Sequence, residues 1–177
     1  MERRKALARG ELMHRLLQAL PGIPAGRRAE AARRHIARSP VAFSLEESEA
    51  MIAQVATVLN DARFSELFAP HSRAEIPIVG RIVAGGRTVA VSGQIDRLAV
   101  TSQGLLIADY KTNRPAPRRL ADVPPAYVAQ LAFYRAVLAT IYRDRPIRAA
   151  LIWTEVPDLM EIPAEELDRA LAIVTTL

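Results

Sequence analysis

Two aspartates and a lysine stand in a segment that otherwise has the pattern of buried β-strand, "GQIDRLAVTSQGLLIADYKT" at residues 93–112. Asp109 and Lys111 are two residues apart, so they lie on the same face of a strand. Asp96 comes thirteen residues (109 − 96) before Asp109, and a hairpin through the polar turn at 101–104 brings the two side by side. Neighbouring carboxylates repel unless a cation lies between them, and oxygen ligands of this kind suit Mg²⁺ or Mn²⁺.

Lysine is rare in this chain, which makes its use next to Asp109 informative. Arginine accounts for 22 of the 24 basic residues, and the two lysines are Lys5 and Lys111. A position that keeps lysine against this bias is expected to need a compact ammonium whose pKa its surroundings can shift. Such a group can stabilise a developing oxyanion or position a water molecule. The alternative is an ordinary salt bridge between Asp109 and Lys111 on an exposed face of the sheet.

The composition limits the classes of protein to which the chain can belong. With 177 residues, 50% of them hydrophobic and 24% charged, it can bury a core of its own. The absence of cysteine excludes disulfides, zinc–thiolate sites and iron–sulfur clusters. No apolar run is long enough to span a bilayer, and the N-terminal segment has no cleavage site of a signal peptide. We therefore expect a cytoplasmic protein with no membrane partner.

Positive charge is concentrated at the N-terminus. Residues 1–40 contain ten Lys and Arg against three acidic residues, whereas residues 41–177 contain fourteen against sixteen. The segment "RRAEAARRHIAR" is suited to an anionic partner such as nucleic acid. A solvated basic helix surface explains the same pattern equally well.

The first part of the chain has helical periodicity. Helices are predicted in "GELMHRLLQAL", which ends at Pro21-Gly22, and in "AGRRAEAARRHIAR", which ends before a proline. Ser44 and Glu47 form a capping box that begins a third helix, and this helix is predicted to continue to about Asn60.

From Glu75 onward the periodicity becomes that of strands. Three strands, "EIPIVGRIVA", "RTVAVSGQIDRLAV" and "GLLIADYK", are joined by hairpin-like turns. After a Pro- and Arg-rich loop, Pro124-Pro125 begins a mostly apolar helix, "AYVAQLAFYRAVLATIY". One more strand, "IRAALIWTE", and a closing helix begun by Pro163 complete the predicted order of helices, βββ, α, β, α.

This order predicts an α/β fold with a mixed central sheet and helices on its faces. No segment of 20–50 residues is repeated, so we predict one domain over residues 1–177. Within it, residues 1–70 form a helical lobe that carries His14, and residues 71–177 form the sheet core with the charged motifs.

The combination of "GQIDRL", "DYKT" and "AQLAFYR" resembles the nuclease module of RecB/AddA-type helicase-nucleases, within the PD-(D/E)XK superfamily. The resemblance covers most of the chain and implies a restriction-endonuclease-like core. It implies that a metal is held by a histidine, two aspartates and one main-chain carbonyl: His14, Asp96, Asp109 and Tyr110. It also implies a catalytic set of two carboxylates, a lysine and two supporting residues on the next helix: Asp96, Asp109, Lys111, Gln130 and Tyr134.

The predicted roles of several other residues rest on weaker sequence signals. Arg97, Arg114 and Tyr134 are predicted to contact nucleic acid, although solvated arginines are the usual finding in loops. His14 falls just outside the buried stripe of its helix, where a lone histidine is more often a boundary residue than a ligand. Glu75 is left outside the set of metal ligands, as either a more distant acidic residue or a charge at the end of a strand.

The function implied by the resemblance is metal-dependent hydrolysis of DNA phosphodiester bonds, by an exonuclease or endonuclease module of bacterial double-strand-break repair. Mg²⁺ is the expected metal, with Mn²⁺ tolerated, and no iron–sulfur cluster or nucleotide is expected. No G-x-x-x-x-G-K-[ST] loop occurs, so the expected partners besides DNA are a helicase motor of the same longer chain and an AddB-like second subunit. The alternatives are a catalytically silent DNA-binding module of the same fold and a helical interaction protein whose basic lobe is the functional part.

Overall fold

The computed structural model describes residues 2–84 and 86–174, in which three helices precede a five-stranded sheet. The helices are α1 (Glu2–Ala19), α2 (Ala25–Ile36), α3 (Leu45–Asn60), α4 (Pro125–Ile141) and α5 (Ala164–Val174). The strands are β1 (Arg73–Ala84), β2 (Arg87–Thr101), β3 (Gly104–Lys111), β4 (Ile147–Trp153) and β5 (Asp158–Ile162). Among these described residues, no helix has the length and apolar character needed to cross a membrane.

The strands lie in the sheet in the order of the sequence, from β1 to β5. β1, β2 and β3 form an antiparallel meander, β4 pairs in parallel with β3, and β5 pairs antiparallel with β4. The parallel pair requires a crossover, and α4 provides it. The predicted class, a mixed sheet flanked by helices, is confirmed and is consistent with a restriction-endonuclease-like core.

The sequence prediction missed β5 and placed the start of α1 too late. β5 has the sequence "DLMEI", in which two acidic residues interrupt the apolar pattern that marked the other strands. α1 begins at Glu2, well before the leucine-rich segment, because its first turns are helix-forming but charged and mostly exposed.

The beginning of α3 and the end of α1 lie where capping and proline residues in the sequence predict them. Ser44 Oγ accepts a hydrogen bond from Glu47 N at 3.1 Å, and Glu47 Oε2 accepts one from Ser44 N at 2.7 Å, as the capping box predicts. α1 ends in a 3-10 turn over Leu20–Gly22, where Pro21 has no N–H to continue the helix.

Two hydrophobic clusters lie on opposite faces of the sheet. The lobe-side cluster joins α1, α2 and α3 to the sheet through the buried residues Ala99, Leu106, Ala108, Tyr110, Ala150 and Ile152. The α4-side cluster joins α4 and α5 to the other face through Ile78, Ile82, Val91, Ile95, Leu98, Leu105, Ile107, Leu151 and Trp153. β3 is buried between them along its length until Lys111, which is why its sequence is almost continuously apolar.

β1 and β2 are both longer than β3, the strand next to β2 in the sheet. β3 pairs only with the last part of β2, so most of the β1–β2 hairpin is a two-stranded ribbon with one face packed on α4. Gly80 of β1 allows the close approach of this ribbon to the helix. A Cβ atom at Gly80 would lie 2.6 Å from Val137 Cγ1, within the contact distance of two carbon atoms.

We predict that Gly80→Ala lowers the free energy of unfolding by about 1–3 kcal/mol, because the added methyl overlaps Val137. Val137→Ala alone should also destabilise the protein, because it leaves a cavity. The double variant should be more stable than the sum of the two losses predicts, since truncation of Val137 makes the space that the new methyl needs. Urea unfolding of the four proteins measures this coupling, and strictly additive losses would contradict the close contact.

Candidate active site

Three acidic residues stand side by side across the sheet. In the β1–β2 register the pairs on either side of Glu75 and Asp96 are Ala74–Arg97 and Ile76–Ile95. The β2–β3 ladder begins at Arg97–Ala108, so Asp96 and Asp109 are the next residues beyond its end. Neither junction continues the regular ladder at this row. Glu75 has a φ of 54°, a left-handed conformation that is uncommon for a residue other than glycine. The row therefore sits where the backbone of the sheet is irregular.

β2 changes the phase of its side-chain alternation at this row. Ile95 and Leu98 both belong to the α4-side cluster, although residues three apart lie on opposite faces of a regular strand. Ala99 belongs to the lobe-side cluster. The alternation therefore shifts by one residue near Asp96, at the edge between the lobe and the sheet.

The structure does not support the prediction that Arg97 contacts nucleic acid. Arg97 is only 5% exposed, and its Nε donates to the carbonyl oxygen of Leu67 at 2.8 Å. Its guanidinium lies 5.0 Å from the centre of the Phe68 ring. The phase shift turns this arginine toward the lobe, where it anchors the segment that follows α3.

Asp96 is held by the main chain of β3 and approached by α1. Its Oδ2 accepts a hydrogen bond from Tyr110 N at 2.8 Å and lies 3.6 Å from His14 Nδ1. The His14 ring packs edge-on against the Tyr110 ring, with centroids 5.6 Å apart. The structure thus brings His14, the predicted ligand farthest from the strands in sequence, to the first of the two aspartates.

The surroundings of Asp96 favour its neutral form. Burial is the main cause and the negative charge of Asp109 is the second, and together they raise the pKa of Asp96 from 3.8 to about 6. The nearby His14 and the hydrogen bond from Tyr110 N oppose this rise. A carboxyl group with such a pKa binds a proton more readily than usual, and a cation placed near it would restore its charge.

Asp109 and Lys111 form an ion pair in the interior. Lys111 Nζ lies 2.6 Å from Asp109 Oδ2, and the two side chains are 14% and 6% exposed. The salt bridge of the alternative interpretation is present, but it is buried and does not lie on an exposed face of the sheet. Asp109 Oδ2 has no hydrogen-bond partner within the described part of the chain, so the ammonium of Lys111 alone balances it there.

α4 holds Lys111 from the other side. Lys111 Nζ donates to Gln130 Oε1 at 3.2 Å and lies 4.0 Å from the centre of the Tyr127 ring. Gln130 Nε2 in turn donates to the hydroxyl oxygen of Tyr134 at 3.3 Å. Gln130, predicted as a supporting residue on this helix, thus contacts the lysine directly.

Tyr134 is a support within the core. It is 8% exposed, and its hydroxyl oxygen also accepts a hydrogen bond from Gln94 N at 3.3 Å. A Cβ atom at Gly93 would lie 2.2 Å from this hydroxyl, so the approach of Tyr134 to β2 requires glycine there. The predicted contact of Tyr134 with nucleic acid is not supported, because its side chain is buried and its hydroxyl is engaged by Gln130 and by the main chain of Gln94.

Sequence reasoning missed Gly93, Gln94 and the ring of Tyr127 as parts of this site. Gly93 had a usable signal, since a glycine inside a strand often marks a close approach of another group. Gln94 Nε2 donates to Glu75 Oε2 at 2.5 Å and so fixes the third carboxylate of the row. Nothing in the sequence indicates that pair, because it depends on the register of β1 against β2.

Arg114, the remaining predicted nucleic-acid contact, lies at the surface and is partly engaged. Its Nε is 2.7 Å from Glu155 Oε2, and 61% of its side chain is exposed. Arg9 of α1 binds the other oxygen of the same carboxylate at 2.9 Å. Arg114 is thus tied to the loop that follows β4.

An open cleft of about 540 Å³ reaches Glu75 and Asp96, two members of the acidic row. α1 forms one wall and the β1–β2 ribbon forms the other. The lining residues are Leu7, Gly10, Glu11, His14, Arg15 and Gln18 on α1, and Glu75, Gln94 and Asp96 on the ribbon.

The donor types at this site suit a divalent cation, but the side chains are not arranged tightly around one point. Carboxylate oxygens and one imidazole are ligands that Mg²⁺ or Mn²⁺ accepts. Asp109 Oδ2 is buried and contacts the Lys111 ammonium at 2.6 Å, so a cation that binds it must share or replace this contact. Within residues 2–84 and 86–174, no three His, Asp or Glu side chains are close enough to hold one ion. The predicted roles of His14, Asp96, Asp109 and the Tyr110 carbonyl as ligands therefore stay predictions.

Comparison with known proteins gives one family match. The model of the PD-(D/E)XK nuclease superfamily matches residues 1–174. Among solved structures, the chain is similar to the crystal structure of SSO0001, with 17% identity over 89% of this chain and 71% of that chain and a TM-score of 0.36. No curated protein matches the chain.

We predict that Asp96→Asn stabilises the protein in metal-free buffer at pH 7.5. Between pH 3.8, the ordinary pKa, and about 6 the folded state binds more protons than the unfolded state, so stability falls as pH rises through this range. Asparagine removes the buried charge and keeps an oxygen for Tyr110 N, so the gain should be on the order of 2 kcal/mol.

Melting curves from pH 4 to pH 8 check this expectation in the presence of a chelator. The exposed Asp144→Asn serves as control, because it removes the same charge outside the cleft. A destabilised Asp96→Asn variant, or an unchanged dependence on pH, would contradict the account of Asp96.

Proposed function

Because the chain belongs to the PD-(D/E)XK nuclease superfamily, we propose that its substrate is DNA and that it hydrolyses phosphodiester bonds with Mg²⁺. The family supports nuclease activity in general terms, and the site supplies the reason to favour an active enzyme. The observation that carries the proposal is the junction of β2 and β3, where Asp96 stands beside Asp109 and Lys111 reaches the same carboxylate.

A divalent cation would be held by Asp96 and Asp109, with His14 completing the ligands from α1. When bound, it supplies positive charge to the scissile phosphate and lowers the pKa of a water molecule. The raised pKa of Asp96 is consistent with a carboxylate that lacks a full counter-charge, because the ammonium of Lys111 is engaged with Asp109.

Lys111 is the residue suited to the negative charge that develops on the phosphate. Its ammonium has three hydrogens, and it contacts the Asp109 carboxylate, the side-chain oxygen of Gln130 and the face of the Tyr127 ring. If Asp109 bound a cation, Gln130 and Tyr127 would still hold the ammonium at the end of β3. Lys111 can then donate a hydrogen bond to a phosphate oxygen without first becoming ordered, which is the condition for effective electrostatic stabilisation.

Gln130 and Tyr134 act on Lys111 from a distance. The tyrosine hydroxyl receives one hydrogen from Gln130 Nε2 and one from Gln94 N, and this fixes the amide of Gln130 with its oxygen toward Lys111. These two residues are positioning groups in the proposal, because Gln130 contacts the ammonium of Lys111 and Tyr134 contacts Gln130.

The cellular role belongs to the same proposal. The motifs "GQIDRL", "DYKT" and "AQLAFYR" support a RecB/AddA-type nuclease module in double-strand-break repair. In that role, a helicase motor of the same longer chain would deliver the DNA, and an AddB-like subunit would be its partner.

A second candidate is a silent module that binds DNA and does not cut it. The ion pair of Asp109 with Lys111 favours this candidate, since it occupies a carboxylate that the metal needs. Incubation of the purified chain with end-labelled single- and double-stranded DNA separates the two. An active enzyme cuts with Mg²⁺ and not with chelator, whereas a silent module binds without cutting under either condition.

We predict that Asp109→Asn reduces cleavage to background, because it removes a metal carboxylate and the counter-charge of Lys111. Lys111→Arg should lose nearly as much activity as Lys111→Ala, since a planar guanidinium cannot replace a compact ammonium between Gln130 and Tyr127. Asp168→Asn, which removes one partner of a surface ion pair with Arg135, serves as the charge control and should retain activity. Equal activities of lysine and arginine at position 111 would reduce this residue to a salt-bridge partner.

We also predict that His14→Ala weakens metal binding and leaves the fold intact. Activity should fall at limiting Mg²⁺ and recover in part when Mn²⁺ is raised, because the two carboxylates remain. Calorimetric titration of metal into wild type, His14→Ala and the exposed control His71→Ala measures the affinity directly. Identical isotherms for wild type and His14→Ala would remove His14 from the site.

A further inference from the structure

The acidic row lies within reach of one arginine that the sequence prediction did not single out. Arg15 follows His14 on α1, is exposed, and lines the cleft that leads to Asp96. The other cleft residues include three acidic side chains, Glu11, Glu75 and Asp96, so Arg15 is the one guanidinium or ammonium among them. A phosphate that enters this cleft meets a negative lining except at this residue and at a bound cation.

Arg15 is also free to bind an anion. Glu11 lies four residues earlier on α1, in the order that favours an ion pair on a helix. Nevertheless, within the described residues Arg15 forms neither an ion pair nor a hydrogen bond. By contrast, Arg9 on the same helix is fixed by Glu155 and Gln54. The guanidinium beside the acidic row has thus kept its full donor capacity, which suits a phosphate in two-point contact.

The arginines that were predicted to hold the DNA are less suited to it. Arg97 is buried against the lobe, and Arg114 is bound to Glu155 on the side of α1 where the loop after β4 lies. A residue in the cleft between α1 and the ribbon is therefore better placed to bind the phosphate next to the scissile one than an arginine of the loop after β3.

We propose that Arg15 binds a substrate phosphate adjacent to the scissile one, so that the DNA strand lies in the cleft between α1 and the β1–β2 ribbon. This inference rests on the proposed function and adds the path of the strand. It makes Arg15 a binding residue, whose guanidinium compensates the charge that Glu11 and Glu75 present to the incoming phosphate.

The test measures the salt dependence of DNA binding, because each lost phosphate contact lowers the slope of log K against log salt by about 0.7 for a single strand. Binding of a labelled single-stranded oligonucleotide is measured in the Asp109→Asn background, so that no cleavage interferes. Arg15→Gln is compared with Arg145→Gln, which removes the same charge from an exposed position after α4 that does not line the cleft. Arg15→Lys keeps the charge and loses the two-point contact.

We expect Arg15→Gln to lower the slope by about 0.7 and Arg145→Gln to leave it unchanged, with Arg15→Lys keeping the slope at reduced affinity. Equal effects of the two glutamine variants would mean that only overall charge matters, and would overturn the inference. A lower melting temperature of Arg15→Gln with an unchanged slope would also overturn it, because Arg15 would then serve to balance the acidic row in the fold.

Cleavage by the wild-type chain, assayed in parallel, separates this inference from the proposed function. If the wild type cuts DNA and the slope for Arg15→Gln is unchanged, the strand path is wrong and the nuclease stands. If the wild type neither cuts nor binds DNA, both the proposed function and the inference about Arg15 are wrong.

Discussion

The interaction on which the site depends is the buried contact between the Asp109 carboxylate and the Lys111 ammonium, placed beside a second carboxylate. Two aspartates on adjoining strands are costly to keep charged in an interior, and the raised pKa of Asp96 shows that cost. One ammonium cannot balance both, and it is engaged with Asp109. Buried pairs of this kind contribute little to stability, so the pair is better explained by chemistry than by folding.

Much of the surrounding structure serves to hold Lys111. The amide of Gln130 is oriented by Tyr134, and the hydroxyl of Tyr134 fits against β2 because Gly93 has no side chain. On the other side of the sheet, α1 brings His14 to Asp96, and the packing of its leucines against the lobe-side cluster fixes that approach. The two faces of the sheet thus contribute different parts: α4 orients the lysine, and α1 approaches the carboxylates and forms the wall of the cleft.

The sequence predicted the elements well because their local signals were strong. The capping box at Ser44, the turn before Gly104 and the proline at the start of α4 all mark boundaries that the structure confirms within a few residues. β5 was missed because a short edge strand with acidic residues lacks an apolar period. The roles of Arg97 and Tyr134 at a nucleic-acid surface were not supported, for a different reason. Strict alternation along β2 cannot reveal the phase shift near Asp96, and a helical pair such as Gln130 and Tyr134 does not show which strand will cover it.

The most direct test of the account is a crystal structure of the chain soaked with Mn²⁺, in which anomalous scattering locates the ion. The account predicts one strong peak about 2.0–2.3 Å from carboxylate oxygens of both Asp96 and Asp109, with Lys111 turned from Asp109 and still bound to Gln130. A structure without a peak at this row, in which Lys111 remains paired with Asp109, would contradict the claim that these carboxylates form the metal site of a nuclease.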